Sequence, residues 1–204
     1  MSELPNLCAD DQPDDGLVAL RLWMDSAADS KDVHDARLAC LATTDAYGAP
    51  DARMVIVREV TDEGLVFCTS LVSSKAKQID RSHSAALVFW WEPLMRQVRV
   101  RGQAKKLADG ESDGHFSRLS RRSQIAAQAS DQSSVLDDHR ALAVAFRTAE
   151  GRYGQQVPRP ASWGCYRLGP EVIELWQGHP ADGMHDRFRY ERSAERWTLN
   201  RIAP

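Results

Sequence analysis

The stretch RMVIVREVTDEGLVFCTSLVSSK, Arg53 to Lys75, decides the fold. Met54-Val55-Ile56-Val57 and Leu65-Val66-Phe67-Cys68-Thr69 are apolar runs rich in β-branched residues, separated by the turn-forming Thr61-Asp62-Glu63-Gly64. Two such runs about a short turn predict a β-hairpin. The second run leads through Ser70-Leu71-Val72 into a helix start at Ser73-Ser74-Lys75, with Ser73 as the expected N-cap. Free N–H groups at a helix N-terminus attract anions, and Arg53 and Lys75 add two cations beside them. The stretch is therefore a candidate phosphate site.

Upstream of the hairpin, Ala36–Thr44 (ARLACLATT) reads as a buried strand, and Asp45-Ala46-Tyr47-Gly48 as the turn that follows it. Before that strand, Asp14 or Asp15 caps a helix whose Leu17, Leu20, Trp23, Met24 and Ala27 fall near helical spacing. Downstream lie the apolar run Ser84–Trp91 and then Gln97–Lys106, where Val98, Val100, Gly102 and Ala104 alternate with polar residues, so that one face is core. Residues 109–149 have helical character. Gly164–Leu168 and Val172–Trp176, joined by Gly169-Pro170, predict another hairpin, and Arg187–Glu191 with Trp197–Ile202 a last one. Eight or nine strands without crossover helices predict a mainly β, α+β fold: an antiparallel barrel with helical decoration.

The 43% hydrophobic and 27% charged content of the 204 residues suits one globular domain, expected over residues 17–204. The acidic segment 1–16, MSELPNLCADDQPDDG, has no apolar targeting core and is expected to be a disordered leader of a cytoplasmic protein. No apolar run is long enough to span a bilayer, and a net charge of −3 carries no nucleic-acid footprint. Cys8, Cys40, Cys68 and Cys165 show neither CxxC nor His-paired spacing, so they are expected to be reduced and structural, with no metal site.

Further residues carry a family resemblance. Arg53–Arg58 with Phe67-Cys68-Thr69, Ser73–Lys75 with Gln78, Arg96-Gln97-Val98, Ser123-Gln124-Ile125, Gln132-Ser133-Ser134, Trp163-Gly164, Glu174–Gly178, His185–Phe188 and Arg201–Pro204 occur in order along the chain. This series resembles the motifs of the pyridoxamine 5′-phosphate oxidases, from about Ala36 to the C-terminus. The resemblance implies an FMN-binding split barrel and a homodimer with FMN at the interface. It also implies hydride transfer from substrate to flavin, followed by reoxidation by O2.

Carried over position by position, the resemblance assigns FMN to Arg53, Met54, Val55, Ile56, Thr69, Lys75, Gln97, Gln132, Ser133, Trp176 and Arg187. Arginine and lysine suit a phosphate monoester, and the amides suit the polar edge of a flavin. Ser74 stands where the family commonly has Arg, so FMN binding is expected to persist with one cation fewer. The substrate positions become Arg58, His115, Ser123 and His185, and His185 with Arg187 are the candidates nearest the reacting carbon.

Two family clamp arginines are replaced, by Leu119 and Gly183, and a family tyrosine and lysine by His115 and Arg58. These departures point to a diverged, small, anionic, nitrogen-containing ring substrate, similar to those of the flavin oxidases of phenazine biosynthesis in secondary metabolism. A true pyridoxine/pyridoxamine 5′-phosphate oxidase and a non-catalytic flavin- or pyridoxal-phosphate-binding protein are the alternatives. Arg118, Arg121 and Arg122 read as a solvated face.

Overall fold

The computed structural model describes residues 12–136, 138–179, 181, 183–194 and 196–204. The order of elements is α1 (Gly16–Ala28), β1 (Leu38–Thr44), β2 (Pro50–Thr61), β3 (Gly64–Ser70), α2 (Ser74–Ser82), β4 (Ser84–Trp91), β5 (Arg96–Lys106), α3 (Asp109–Ser117), α4 (Arg121–Ala129), α5 (His139–Arg152), β6 (Trp163–Gln177), β7 (Asp186–Ser193) and β8 (Arg196–Arg201). The strands hydrogen-bond in the order β3-β2-β1-β4-β5-β6-β7-β8, and β3 also pairs with β6. That extra pairing closes six strands into an antiparallel barrel and leaves β7 and β8 as an extension. The fold is the expected mixed α+β barrel.

The β2–β3 hairpin forms as expected. Its turn needs Gly64, whose φ is +142° and where a Cβ would lie 2.1 Å from the Leu168 carbonyl oxygen. Asp15 caps α1, its Oδ1 accepting from the N–H groups of Leu17 and Val18. The buried face of α1, with Leu17, Leu20, Trp23 and Ala27, joins the barrel core of Leu41, Phe67, Phe89, Val98 and Tyr166. Buried Arg96 helps to tie α1 down: it donates to Ser26 Oγ and Gln177 Oε1 and lies over the Trp23 ring. A second core of Val66, Phe116, Ile125, Trp163 and Cys165 sits under the helices between β5 and β6.

Three expectations change. Gly164–Leu168 and Val172–Trp176 are not two strands of a hairpin but parts of one strand, β6, pairing with β5 from Tyr166 onward and with β3 from Trp163 to Leu168. Gly169-Pro170 marks a register shift opposite Gly102, where a Cβ would stand 2.1 Å from the Gly169 carbonyl oxygen. A proline that cannot donate to a ladder is tolerated at such an irregularity without reversing the chain.

Cys68 and Cys165, expected to be reduced, are joined in a disulfide. They are 97 residues apart in sequence, and closure of β3 on β6 makes them register partners. Ser73 occupies the N-cap of α2 without capping it. Its hydroxyl donates to the Ser70 carbonyl, while Ser133 Oγ accepts from the Ser74 N–H.

Of the leader expected over 1–16, residues 1–11 lie outside the described residues. Within the rest, Gln12 is buried and the Pro13 carbonyl accepts from the Tyr190 hydroxyl. Among the described residues no helix is long and apolar enough to cross a membrane.

Candidate cofactor and substrate site

The candidate residues fall into two groups on one sheet. The first surrounds a cavity of about 550 Å³ between β2, β3, α2 and α4, lined by Met54, Val55, Ile56, Arg58, Thr69, Lys75, Leu119, Ser123, Gln132 and their neighbours. Lys75 is only 8% exposed, and its Nζ donates to Gln132 Oε1 at 2.9 Å and Thr69 Oγ1 at 3.3 Å. Burial and the nearby Arg53 charge push its ammonium below the usual lysine range, with Asp51 opposing them. Arg53 is itself tied to Asp51, Thr43 and Gln78, behind the cavity wall. Among the described residues the buried ammonium is held by neutral oxygens, an arrangement that suits an anion such as a phosphate monoester.

Arg58 lies five residues along β2 from Arg53, about 16 Å at the usual strand rise. It sits where the β2–β3 register shifts between Val57 and Glu59, and such bulges re-aim side chains. Among the described residues its guanidinium makes no hydrogen bond or ion pair. Leu119, Ala126, Ala127 and Trp163 supply apolar wall to the same cavity, and Ser123 a hydroxyl.

His115, expected at this site, is not among the lining residues. It packs on α3 with Nε2 3.8 Å from Glu59 Oε2. Burial, partly opposed by Glu59, holds its imidazole below the ordinary value of 6.5. Between that lowered value and 6.5 the unfolded chain binds more protons than the folded one, so His115 makes stability rise with pH through this window. His115→Gln is expected to flatten the dependence of urea-unfolding free energy on pH just below the ordinary histidine value. A slope equal to that of the parent protein would rule this out.

The second group is a row across three strands. Gln97 on β5 pairs with Trp176 on β6, and Trp176 with Arg187 on β7. His185 lies against Trp176, ring centroids 4.8 Å apart and planes tilted by 49°. Its Nδ1 accepts from the His179 backbone N–H at 3.1 Å. The neutral ring therefore carries its proton on Nε2, which leaves that nitrogen as a hydrogen-bond donor.

Arg187 donates to Glu174 Oε2 at 2.8 Å. Leu38 and Ala126 were not singled out by sequence, and Trp163 and Glu174 entered only as motif members with no site role. Glu174 follows the alternation of β6 and Trp163 begins it, so only spatial placement distinguishes them from core residues.

Among the described residues no hydrogen bond, ion pair or ring contact links the two groups. They lie on one sheet: Met54 pairs with Cys40, Cys40 with Val88, Val88 with Arg99, and Arg99 with Glu174. Four strand spacings lie between β2 and β6 by this route and two by way of β3, but β3 meets only the start of β6, where Trp163 lines the cavity, and Trp176 stands thirteen residues further along that strand. Arg121 and Arg122, read from sequence as part of a solvated face, are exposed but partnered: Arg121 donates to the carbonyls of Tyr153 and Gly154, and Arg122 lies over Phe146.

Comparison with known proteins identifies the family. Residues 27–153 match the family described as pyridoxamine 5′-phosphate oxidase, and 163–204 match the pyridoxine 5′-phosphate oxidase C-terminal dimerisation region. The latter indicates a homodimer. The chain is 38% identical over 198 residues to a pyridoxine/pyridoxamine 5′-phosphate oxidase of Thermosynechococcus vestitus, covering 97% of this chain and 93% of that one. It is 40% identical over 202 residues to the enzyme of the same name from Salinibacter ruber, with the same coverage.

Among solved structures it resembles PhzG from Burkholderia lata, crystallised with tetrahydrophenazine-1-carboxylic acid, with a TM-score of 0.88, 28% identity and coverage of 96% and 95%. A pyridoxamine 5′-phosphate oxidase-related, FMN-binding protein of Nostoc punctiforme shares the fold, at a TM-score of 0.72, 19% identity and coverage of 94% and 97%. With matches over both of its parts and relatives near 40% identity along almost its whole length, the chain belongs to the pyridoxamine 5′-phosphate oxidase family and is an oxidoreductase of that type.

Proposed function

We propose that this protein is an FMN-dependent oxidase acting on a small, flat, nitrogen-containing ring substrate with a single anionic group. The observation that carries the reading is the Lys75 cavity, with the buried Lys75 ammonium suited to a phosphate and, among the described residues, one unpaired cation, Arg58, beside apolar side chains. Lys75 and Arg53 would hold the FMN phosphate, and Gln132, Ser133 and Thr69 its polar chain. Met54, Val55 and Ile56 would line its path. When bound, FMN supplies the hydride acceptor, and its reoxidation by O2 gives hydrogen peroxide.

Gln97, Trp176, His185 and Arg187 stand too far along the sheet to reach the same flavin from the same chain. In a two-fold dimer one face serves both protomers, so the two half-sites would complete each other across the axis. Arg58 and the Ser123 hydroxyl would then orient the substrate's anionic group, Leu119 and Trp163 would exclude water, and His185 would donate from Nε2. One guanidinium fork suits a carboxylate better than a phosphate dianion, for which the family uses four groups. The PhzG likeness, with its ring carboxylate ligand, supports the same substrate class.

A second reading, a pyridoxine/pyridoxamine 5′-phosphate oxidase with a rearranged clamp, rests on the 38% and 40% identity to enzymes of that name. Peroxide release from the FMN-loaded protein tests both. Turnover of reduced phenazine carboxylates at least tenfold above that of pyridoxine 5′-phosphate is expected. The reverse order would establish the second reading, and silence across the panel with flavin bound would leave a binding protein.

A further inference from the structure

One buried carboxylate gathers three arginines. Glu174, 7% exposed, accepts from Arg99 Nη1 at 3.0 Å, Arg187 Nη2 at 2.8 Å and Arg189 Nε at 2.9 Å, and its ion pair with Arg189 brings Nη2 to 2.7 Å. Burial pushes its carboxyl up, but the hydrogen bonds from Arg187 and Arg189 and the Arg99 charge bring it below the ordinary 4.5. Arg99, Glu174 and Arg189 form a straight row over β5, β6 and β7, whereas Arg187 belongs to the next row, opposite Trp176. Glu174 thus reaches diagonally between rows. Arg187 Nη1 meets the Ala203 carbonyl at 3.4 Å, so Glu174 supplies its only charged partner among the described residues.

We infer that Glu174 is a positioning residue that holds the Arg187 guanidinium beside Trp176 for its work on the cofactor. Three guanidinium groups crowd one patch, and Glu174 is the carboxylate they share; among the described residues only Arg189 has a second one near it, Glu191 Oε1 at 3.7 Å. Without its charge, Arg99 and Arg189 repel Arg187, which has solvent on its open side. Glutamine in place of Glu174 keeps the shape and an acceptor oxygen but removes the charge, so the three arginines no longer share a counterion. The sequence conceals this role because Glu174 sits among Val172, Ile173 and Leu175, where it passes for the polar phase of a strand.

The inference rests on the proposed FMN site only for its consequence, not for the contact, and the experiment separates the two. In the unliganded protein, Arg187 guanidinium NMR signals, assigned by their loss in R187A, are expected to show hindered rotation and to average in E174Q. Unchanged signals in E174Q would overturn the positioning role, whether or not flavin binds. In FMN titrations, E174Q and R187A are each expected to weaken binding about tenfold, and the double variant no more than R187A alone.

A purely structural role for Glu174 would give a double variant weakened by the product of the two factors, and that result would also sink the inference. Failure of the parent protein to bind FMN would sink the proposed function, with Glu174 still decided by the NMR arm.

Discussion

Lys75→Met is expected to weaken FMN binding about 100-fold while leaving the unliganded protein no less stable. Lys75 is buried and its amine is held by Gln132 and Thr69, with no carboxylate in direct contact. A charge-assisted hydrogen bond to phosphate contributes about 1.5–3 kcal/mol, and the low local dielectric favours the upper part of that range. Before phosphate arrives the same charge is a burden, because burial and Arg53 depress the ammonium pKa below 10.5. Between that depressed value and 10.5 the unfolded chain binds more protons, so the unliganded protein gains stability as pH rises through this window.

Methionine fills the stem's volume and removes both the burden and the slope. Fluorescence titration with FMN and thermal melting without it check the two halves. A variant that binds FMN as tightly as the parent would place the phosphate elsewhere, and one that melts far lower would make Lys75 a structural cation.

The second large effect is expected at Arg58. Arg58→Ala should raise KM for an anionic ring substrate about 100-fold with kcat nearly unchanged, since a contact far from the reacting bond stabilises ground and transition states alike. Arg58→Lys keeps the charge but loses the fork and should cost about tenfold. FMN affinity should not move in either variant, because Arg58 stands about 16 Å along β2 from Arg53. Steady-state kinetics with a ring carboxylate and its neutral amide give the test: the amide should be almost indifferent to Arg58. Equal losses for acid and amide would remove Arg58 from charge recognition.

The chemistry was most legible where neighbours in sequence are neighbours in space. The β2–β3 hairpin, the Asp15 cap and the approach of Arg53 and Lys75 to one helix start all depend on local turn, capping and strand geometry. The ordered motifs from Arg53 to Arg201 carried the family, because their order survives without knowledge of their positions in space. Less legible was anything that depends on barrel closure. β6 looked like two strands because Gly-Pro commonly signals a turn, and only its partners β5 and β3 show that the chain runs straight on.

The sequence by itself determined a barrel of alternating strands, the family, and the identity of the charged groups at both ends of the Lys75 cavity. Tertiary structure alone decided which distant residues meet: Cys68 with Cys165, Glu174 with three arginines, and His115 with Glu59 rather than with the cavity. It also set the tautomer of His185 through the His179 N–H. The physical reason is the same in each case. Periodicity reports which face of a strand a side chain takes, whereas the register between strands, which decides what it touches, is set by closure of the whole sheet.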